Sequence, residues 1–378
     1  MAKIAPFPAL IYQPGLDYQK VLAPPYDVIS PEERRTFWKL SPYNIVRVIL
    51  PKTRSQAGKT FQAWLNKSVL FQDSPANFYW CRQEYPFAGS IRTNQGLIAL
   101  LQLENPKKGI VCPHEETIPY VRQGQFQILE EVSANFCPII TLYRDKSRVI
   151  ESLAPIKKRP FLTYQDERGV KYSLWKIPPV PAISGTFADK KVYIADGHHR
   201  YASAYQYFLK TQTASSAYIL TYFLNSCGDD IAVLPFHRYL PKTNRKDFLS
   251  IKNSFSLHSE PDLKTLMHNL SAGWLGLAFE GKFFRFPVVL EKKTLEVSFL
   301  HQRVINKILK FPEDHLIFEP DAQALLKRTQ KEPGMAFFLP LISLKSLYEI
   351  WEKEVILPRK STYFYPKIPS GLVIYKHN

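Results

Sequence analysis

Residues 192–209 constrain the fold more than any other stretch of the chain. The short apolar run Val192-Tyr193-Ile194-Ala195 stops at Asp196-Gly197. Tyr201, Ala204, Tyr205, Phe208 and Leu209 then recur at i, i+3, i+4, i+7 and i+8. The first pattern is that of a buried strand and the second is one face of an amphipathic helix. A strand turning directly into a helix implies an α/β or α+β architecture, because each element must bury its apolar face against another layer.

The rest of the chain agrees with that class. Ser30-Pro31-Glu32-Glu33 is a capping box with Pro at the first helical position, so a helix begins there and ends near Leu40, before Ser41-Pro42. Residues 4–12, 44–50, 78–81, 96–103, 138–143 and 217–224 read as strands. Residues 56–67, 123–135, 299–309, 322–330 and 344–353 read as helices. Residues 275–286 read as two strands around Glu280-Gly281, and 335–341 as another. Residues 157–189 are polar and Pro-rich and read as a long excursion. The 378 residues suit two or three domains. The expected division is an N-terminal α/β region at 1–95, a core at 96–215 and a C-terminal α/β region at 216–378.

Composition removes several function classes. The longest nearly unbroken apolar stretch, 335–344, is far short of the ~18–20 residues a membrane span needs. With 52 aromatic residues, the chain is not of disordered composition. The N-terminus has no apolar region of secretory length, and Cys81, Cys112, Cys137 and Cys227 form no CxxC pair, so a cytoplasmic protein with reduced thiols is expected. The net charge of +17 is spread out. Residues 1–110 carry 14 basic against 7 acidic side chains, 111–215 carry 14 against 10, and 216–378 carry 22 against 16. With no basic arm, nucleic acid is permitted as a partner but not indicated.

The turn at 195–201 (ADGHHRY) is the sharpest chemical signal. The first N–H groups of a helix have no intrahelical partner and the helix dipole favours an anion there, so phosphate suits the position. Arg200 offers a bidentate grip, and His198 and His199 can donate. Asp196 would oppose phosphate unless it binds Mg²⁺ or a hydroxyl proton. The plainer alternative is that Asp196 caps the helix and Gly197 supplies the turn. A second signal is Cys112-Pro113-His114-Glu115-Glu116-Thr117. It lacks the HExxH spacing of zinc enzymes, but its carboxylates could act as a general base. Weaker clusters are Tyr26-Asp27 before the capped helix, His237-Arg238 after Leu234-Pro235-Phe236, and residues 358–367, which include Lys360 and Ser361. There is no Walker A loop, GxGxxG or GxSxG.

Five segments together resemble a prokaryotic domain-of-unknown-function family, family 1015. They are APPYDVIS (23–30), the HE-x-T element (114–117), ADGHHRY (195–201), LPxHR (234–238) and KSTYFYPK (360–367). Residues 96–210 also resemble the superfamily of ParB partition proteins, sulfiredoxins and free-serine kinases. There an HEE-type element, a helix, a Pro-Ile strand and a DGHHR turn follow in this order. The resemblance implies a ParB/sulfiredoxin-like core within a larger mixed α+β protein. It also implies a kinase that uses ATP or ADP with Mg²⁺ and transfers a phosphoryl group to a small hydroxyl compound such as serine.

The implied roles follow the motifs. Glu115 or Glu116 is the base, Glu115 falling on the E of HE-x-T. Asp196 and His198 are catalytic, with Asp196 on the metal. Gly197, His199, Arg200 and Tyr201 hold nucleotide phosphate. His114, Thr117, Tyr26, Asp27, His237, Arg238, Lys360 and Ser361 contact substrate. Where the family often has Asp-Arg, this chain has Gly124-Gln125, and no Cys occupies the turn as sulfiredoxin chemistry requires. The alternative is a non-catalytic nucleotide switch of the ParB kind. ParB proteins place a helix-turn-helix after the core, whereas a strand is expected after Lys210 here, which disfavours DNA binding.

Overall fold

Long β-branched and aromatic runs find partners on both edges, and the largest sheet forms from the N-terminal two thirds of the chain. The structure, a computed structural model, describes residues 1–87, 89–228, 231–290 and 294–377. The chain folds as two units. One comprises Met1–Pro113, Thr117–Ile231 and Pro366–Asn378, and the other comprises His114–Glu116 and Ala232–Tyr365.

The first unit is built on a mixed sheet. Among the described residues its strands are β1 (Ile4–Ala5), β2 (Phe78–Phe87), β3 (Ser90–Gln102), β4 (Val111–Cys112), β5 (Ile139–Tyr143), β6 (Leu162–Gln165), β7 (Lys171–Ile177), β8 (Val192–Asp196) and β9 (Tyr218–Asn225). The order is β4-β8-β5-β9-β3-β2-β7-β6, with β1 against β3. The β8–β4 and β9–β5 pairs are parallel and the others antiparallel. Trp80, Leu97, Ala99, Ile139, Ile194 and Phe223 from these strands are buried in one core. Two helices matter for the site. These are α1 (Pro119–Val132), which buries Phe126, Leu129 and Val132, and α2 (His198–Thr211), which buries Tyr201, Ala204 and Tyr207. Phe126, Leu129, Tyr201, Ala204 and Tyr207 belong to that same core.

The second unit carries an antiparallel sheet. Its strands are β10 (His237–Pro241), β11 (His258–Glu260), β12 (Trp274–Phe279), β13 (Lys282–Pro287), β14 (Ile317–Glu319) and β15 (Gly334–Phe338), in the order β11-β13-β12-β15-β10-β14. Tyr239, Leu266, Ala336 and Phe338 form its separate core. No helix among the described residues is long and apolar enough to cross a membrane.

The mixed α/β class is as expected, and three local readings are corrected. Residues 44–50 are not a strand, since Val46–Ile49 is helical. Asn44 decides this. Its Oδ1 accepts the Val46 N–H at 2.9 Å while its Nδ2 donates to the Lys20 and Leu22 carbonyls. That buried amide starts a helical turn in spite of three β-branched residues. Residues 4–12 form two short strands, Ile4–Ala5 and Leu10–Tyr12, with Pro6 and Pro8 between them. The excursion at 157–189 contains β6 and β7, whose Leu162 and Leu174 are buried on the main sheet.

Candidate functional site

The turn that follows β8 is shaped by two local features. Pairing with β5 runs Tyr193–Leu142 and Ile194–Thr141, then slips so that Asp196 lies opposite Ile140. Such a bulge re-aims the side chain at the strand end. Gly197 follows with φ 97°, and a Cβ on it would stand 2.7 Å from Ile139 Cγ2 and 3.1 Å from Arg200 Cζ. Both backbone conformation and space therefore require glycine. Helix α2 begins at once, and no side chain caps its N-terminus. The positive end of a 14-residue helix thus starts two residues beyond the Asp196 carboxylate.

Three segments distant in sequence meet at this turn. Lys367 Nζ lies 2.7 Å from Asp196 Oδ1 and 2.8 Å from Asp27 Oδ2. Arg200 Nη2 donates to Asp196 Oδ2, and its Nη1 donates to the Pro138 carbonyl and to the Cys137 carbonyl at 3.2 Å. The charges alternate as Asp27, Lys367, Asp196, Arg200, and the Lys367 side chain is only 5% exposed. Burial works against the Arg200 charge, but the Asp196 and Asp27 carboxylates outweigh it and hold the guanidinium protonated. Tyr26 stands beside the cluster. Burial, with Asp27 and Asp196 adding to it, pushes its hydroxyl well above the usual range. Burial also pushes the Cys137 thiol up, opposed by Arg200. Phenol and thiol therefore stay neutral.

The other residues of the turn anchor it. Tyr201 Oη donates to the Glu104 carbonyl at 2.7 Å and accepts the Glu104 N–H at 3.0 Å, so it fastens α2 to the end of the main sheet. His198 is buried and His199 half-buried.

The HE-x-T and KST residues meet in the second unit. Glu115 Oε2 accepts the Lys360 N–H at 3.1 Å. Its Oε1 accepts the Ser361 and Thr362 N–H groups at 3.0 Å and the Thr362 hydroxyl at 3.1 Å. Lys360 has φ 55°, and successive amides beside such a residue form a concave anion-binding nest. Burial pushes the Glu115 carboxyl up, and the Thr362 and Lys360 interactions oppose that shift. His114 is fully buried, with Nε2 3.1 Å from Thr362 Oγ1. Ser361 Oγ donates to the Pro358 carbonyl at 2.5 Å. Glu116 is exposed and Thr117 half-buried.

His237 and Arg238 are buried in the same unit. His237 Nδ1 accepts the Leu339 N–H at 3.2 Å, and burial, with Arg238 adding to it, holds its pKa down to about 3. Arg238 Nε donates to His301 Nε2 at 3.1 Å, and His301 Nδ1 lies 3.1 Å from Glu313 Oε1.

Tyr26, Asp27, Asp196, Gly197 and Arg200 therefore share one place, while His114, Glu115, Lys360 and Ser361 share another. Sequence reasoning missed Lys367 and Cys137 as site residues. Lys367 closes the KSTYFYPK segment, and a lysine buried among aromatic and apolar neighbours (365–374) was the available signal.

A mixed-sheet protein with an acid–base cluster at a strand-to-helix turn is the class defined so far. The family model for proteins of unknown function DUF1015 matches residues 4–309, and the chain belongs to that family. No curated protein matches it. Among solved structures, a variant of free serine kinase in complex with ADP is 15% identical with a TM-score of 0.40, covering 70% of this chain and 89% of that one. A conserved hypothetical protein from Pyrococcus furiosus is 14% identical with a TM-score of 0.39, covering 70% and 92%. SbnI with a C-terminal truncation, from Staphylococcus aureus, is 10% identical with a TM-score of 0.41, covering 72% and 85%. Likeness at this level transfers no residue role.

Proposed function

We propose that the Asp196 turn handles the phosphates of ATP or ADP and that the protein transfers a phosphoryl group to a small hydroxyl compound, serine being the first acceptor to test. The observation that carries the reading is the convergence of Asp27, Asp196 and Lys367 at the uncapped N-terminus of α2. Phosphoryl transfer depends on positioning and charge neutralisation more than on covalent catalysis, and such a turn supplies both. In the reaction the acceptor oxygen bonds to the terminal phosphorus, and the bond from that phosphorus to the bridging oxygen breaks. The hydroxyl proton passes to a carboxylate, and ADP or AMP leaves.

In this scheme the first-turn amides of α2 face the phosphates, with His198 and His199 as further donors, and Lys367 balances Asp27 and Asp196 beside them. Arg200 has a positioning role. Its donors already hold Asp196, Cys137 and Pro138, so it fixes Asp196 rather than reaching for phosphate. Among the described residues no three His, Cys, Asp or Glu side chains are grouped to hold a metal. Mg²⁺ commonly takes one or two carboxylates and completes its shell with phosphate and water, but both Asp196 oxygens already face Lys367 and Arg200, and Lys367 also holds Asp27, so the residues as they stand do not fit it. The carboxylates at the turn itself, Asp196 and Asp27, are the groups at hand to take the hydroxyl proton.

One observation favours the non-catalytic switch instead. The Glu115 carboxylate receives three backbone N–H groups and a hydroxyl, and must release some of them before it takes a proton. Calorimetric titration with ADP and with ATP, followed by a turnover assay over an amino-acid and alcohol panel, separates the readings. Nucleotide binding with turnover that is lost in Asp196→Asn supports the kinase. Binding without turnover on any acceptor supports the switch. No binding of either nucleotide defeats both.

A further inference from the structure

The second unit holds an open cleft that phosphoryl transfer does not use. It has a volume of about 450 Å³ and lies between the end of the helix Arg245–Ser254, the segment after β13 and the π-helix Leu300–Leu309. Phe255, Phe299 and Ile308 supply its apolar lining, and each is half-buried. Phe255 packs on the buried Phe286 ring at 4.8 Å between centroids and meets Phe299 edge-on at 6.1 Å. Val289, also a lining residue, is 88% exposed and so stands at the rim.

The form of the helix decides which side chains reach the cleft. In a π-helix each backbone N–H bonds five residues back instead of four, and such turns are rare and recur at functional sites. Steps of four and five residues place Phe299, Arg303 and Ile308 on one face, with Lys307 beside them. Leu300, His301, Val304 and Ile305 are buried on the other. Arg303 and Lys307 are exposed, and neither side chain makes a hydrogen bond or ion pair among the described residues. No acidic side chain lines the cleft among those residues. An apolar lining with two unpaired cations complements an apolar body that carries an anionic head. Both cations stand on one helix, four residues apart, so they converge on a single head. The apolar lining is one aromatic pair with an isoleucine, not the long stripe of anchors that a docked helix would need.

We propose that this cleft binds a free amphiphilic anion, a hydrocarbon chain ended by one carboxylate, with the head on Arg303 and Lys307 and the chain on Phe255, Phe299 and Ile308. A carboxylate can give both oxygens to the planar Arg303 fork, or one to each cation. The chain gains by leaving water for the aromatic lining. The assignment does not depend on nucleotide binding, because the cleft belongs to the second unit and the Asp196 turn to the first.

Displacement of the fluorescent dye 8-anilinonaphthalene-1-sulfonate from the full chain tests the assignment, with decanoate and decanol as competitors of equal chain length. In the parent, decanoate should displace the dye at least about ten-fold more tightly than decanol, the worth of a charge-assisted contact. In the double variant Arg303→Gln, Lys307→Gln the two competitors should become about equal. Both positions are exposed, so the fold should survive, as circular dichroism checks. Val289→Asp, at an equally exposed position, sets a like charge at the rim and should weaken decanoate several-fold while changing decanol little. Decanoate that binds the parent neither in displacement nor in calorimetry overturns the assignment. Equal displacement by the two competitors in the parent, or a preference that persists in the folded double variant, does so too. Dye displaced by ADP as tightly as by decanoate makes the cleft a nucleotide site and overturns both this assignment and the Asp196 reading. A parent dimer that Val289→Asp splits into monomers means that a second copy covers the cleft, and also overturns it.

Discussion

Lys367 is buried with one ammonium group between two carboxylates, and this makes it the most informative residue to change. Removing a buried cation leaves two anions facing each other in poor solvent, which typically costs about 3 kcal/mol. Lys367→Met should lower stability by that order in urea denaturation and abolish ADP binding. Adding Asp27→Asn should recover part of the stability but not the binding. If the single variant is as stable as the parent, the pair of contacts contributes little and the cluster is not under strain. A second residue-scale effect concerns acid. Burial holds His237 down to about 3 and His301 to about 4, so both are neutral in the folded second unit. The unfolded chain binds those protons near the ordinary value of about 6.5. Stability is therefore complete above that pH and falls as the solution is acidified toward pH 4, by roughly 1.4 kcal/mol per unit for each imidazole. Urea midpoints at pH 7, 6 and 5 should show the slope for this unit. His301→Gln, whose carbonyl can still accept from Arg238, should remove about half of it. An unchanged slope would mean that His301 does not titrate as described.

At the scale of elements, the turn between β8 and α2 tolerates no side chain at Gly197. A Cβ there meets Ile139 at 2.7 Å in a left-handed backbone, so Gly197→Ala should cost about 2–4 kcal/mol. Gly124, inside α1, has open space where its Cβ would be, and Gly124→Ala should stabilise by about 0.5–1 kcal/mol. Thermal unfolding of the two variants side by side checks both signs. The sequence made this turn readable because each signal was local. The apolar run, the Asp-Gly and the helical spacing lie within 18 consecutive residues. The same holds for the capped helix Pro31–Leu40, where Ser30 and Glu33 exchange both capping hydrogen bonds. What escaped was set by distant partners. Residues 44–50 look like a strand by composition, and only the Lys20 and Leu22 carbonyls explain why Asn44 starts a helix instead. The strands at 162–177 look like loop until β2 is available to pair with β7, which in turn pairs with β6. Lys367 reads as a charged residue far from the turn until Asp27 and Asp196 are placed beside it.

For the whole molecule, two separate cores give each unit its own local stability. The proposed nucleotide site belongs to the first unit, so saturating ADP at about 100 times its Kd should add roughly 2.7 kcal/mol there. Hydrogen exchange reads this directly. Amides of β5, β8 and α2 should slow on adding ADP, and uniform slowing in β12 and β15 alone would place the ligand elsewhere. The chain order also matters. The first unit is closed by its last segment, from Pro366 on, which comes after all of the second unit in sequence and buries Ile368, Leu372, Val373 and Ile374. A ribosome therefore delivers Asp27 and Asp196 long before Lys367. Until that lysine emerges, the nascent chain holds two carboxylates with no cation between them, and the site comes into being only after the whole second unit has been made.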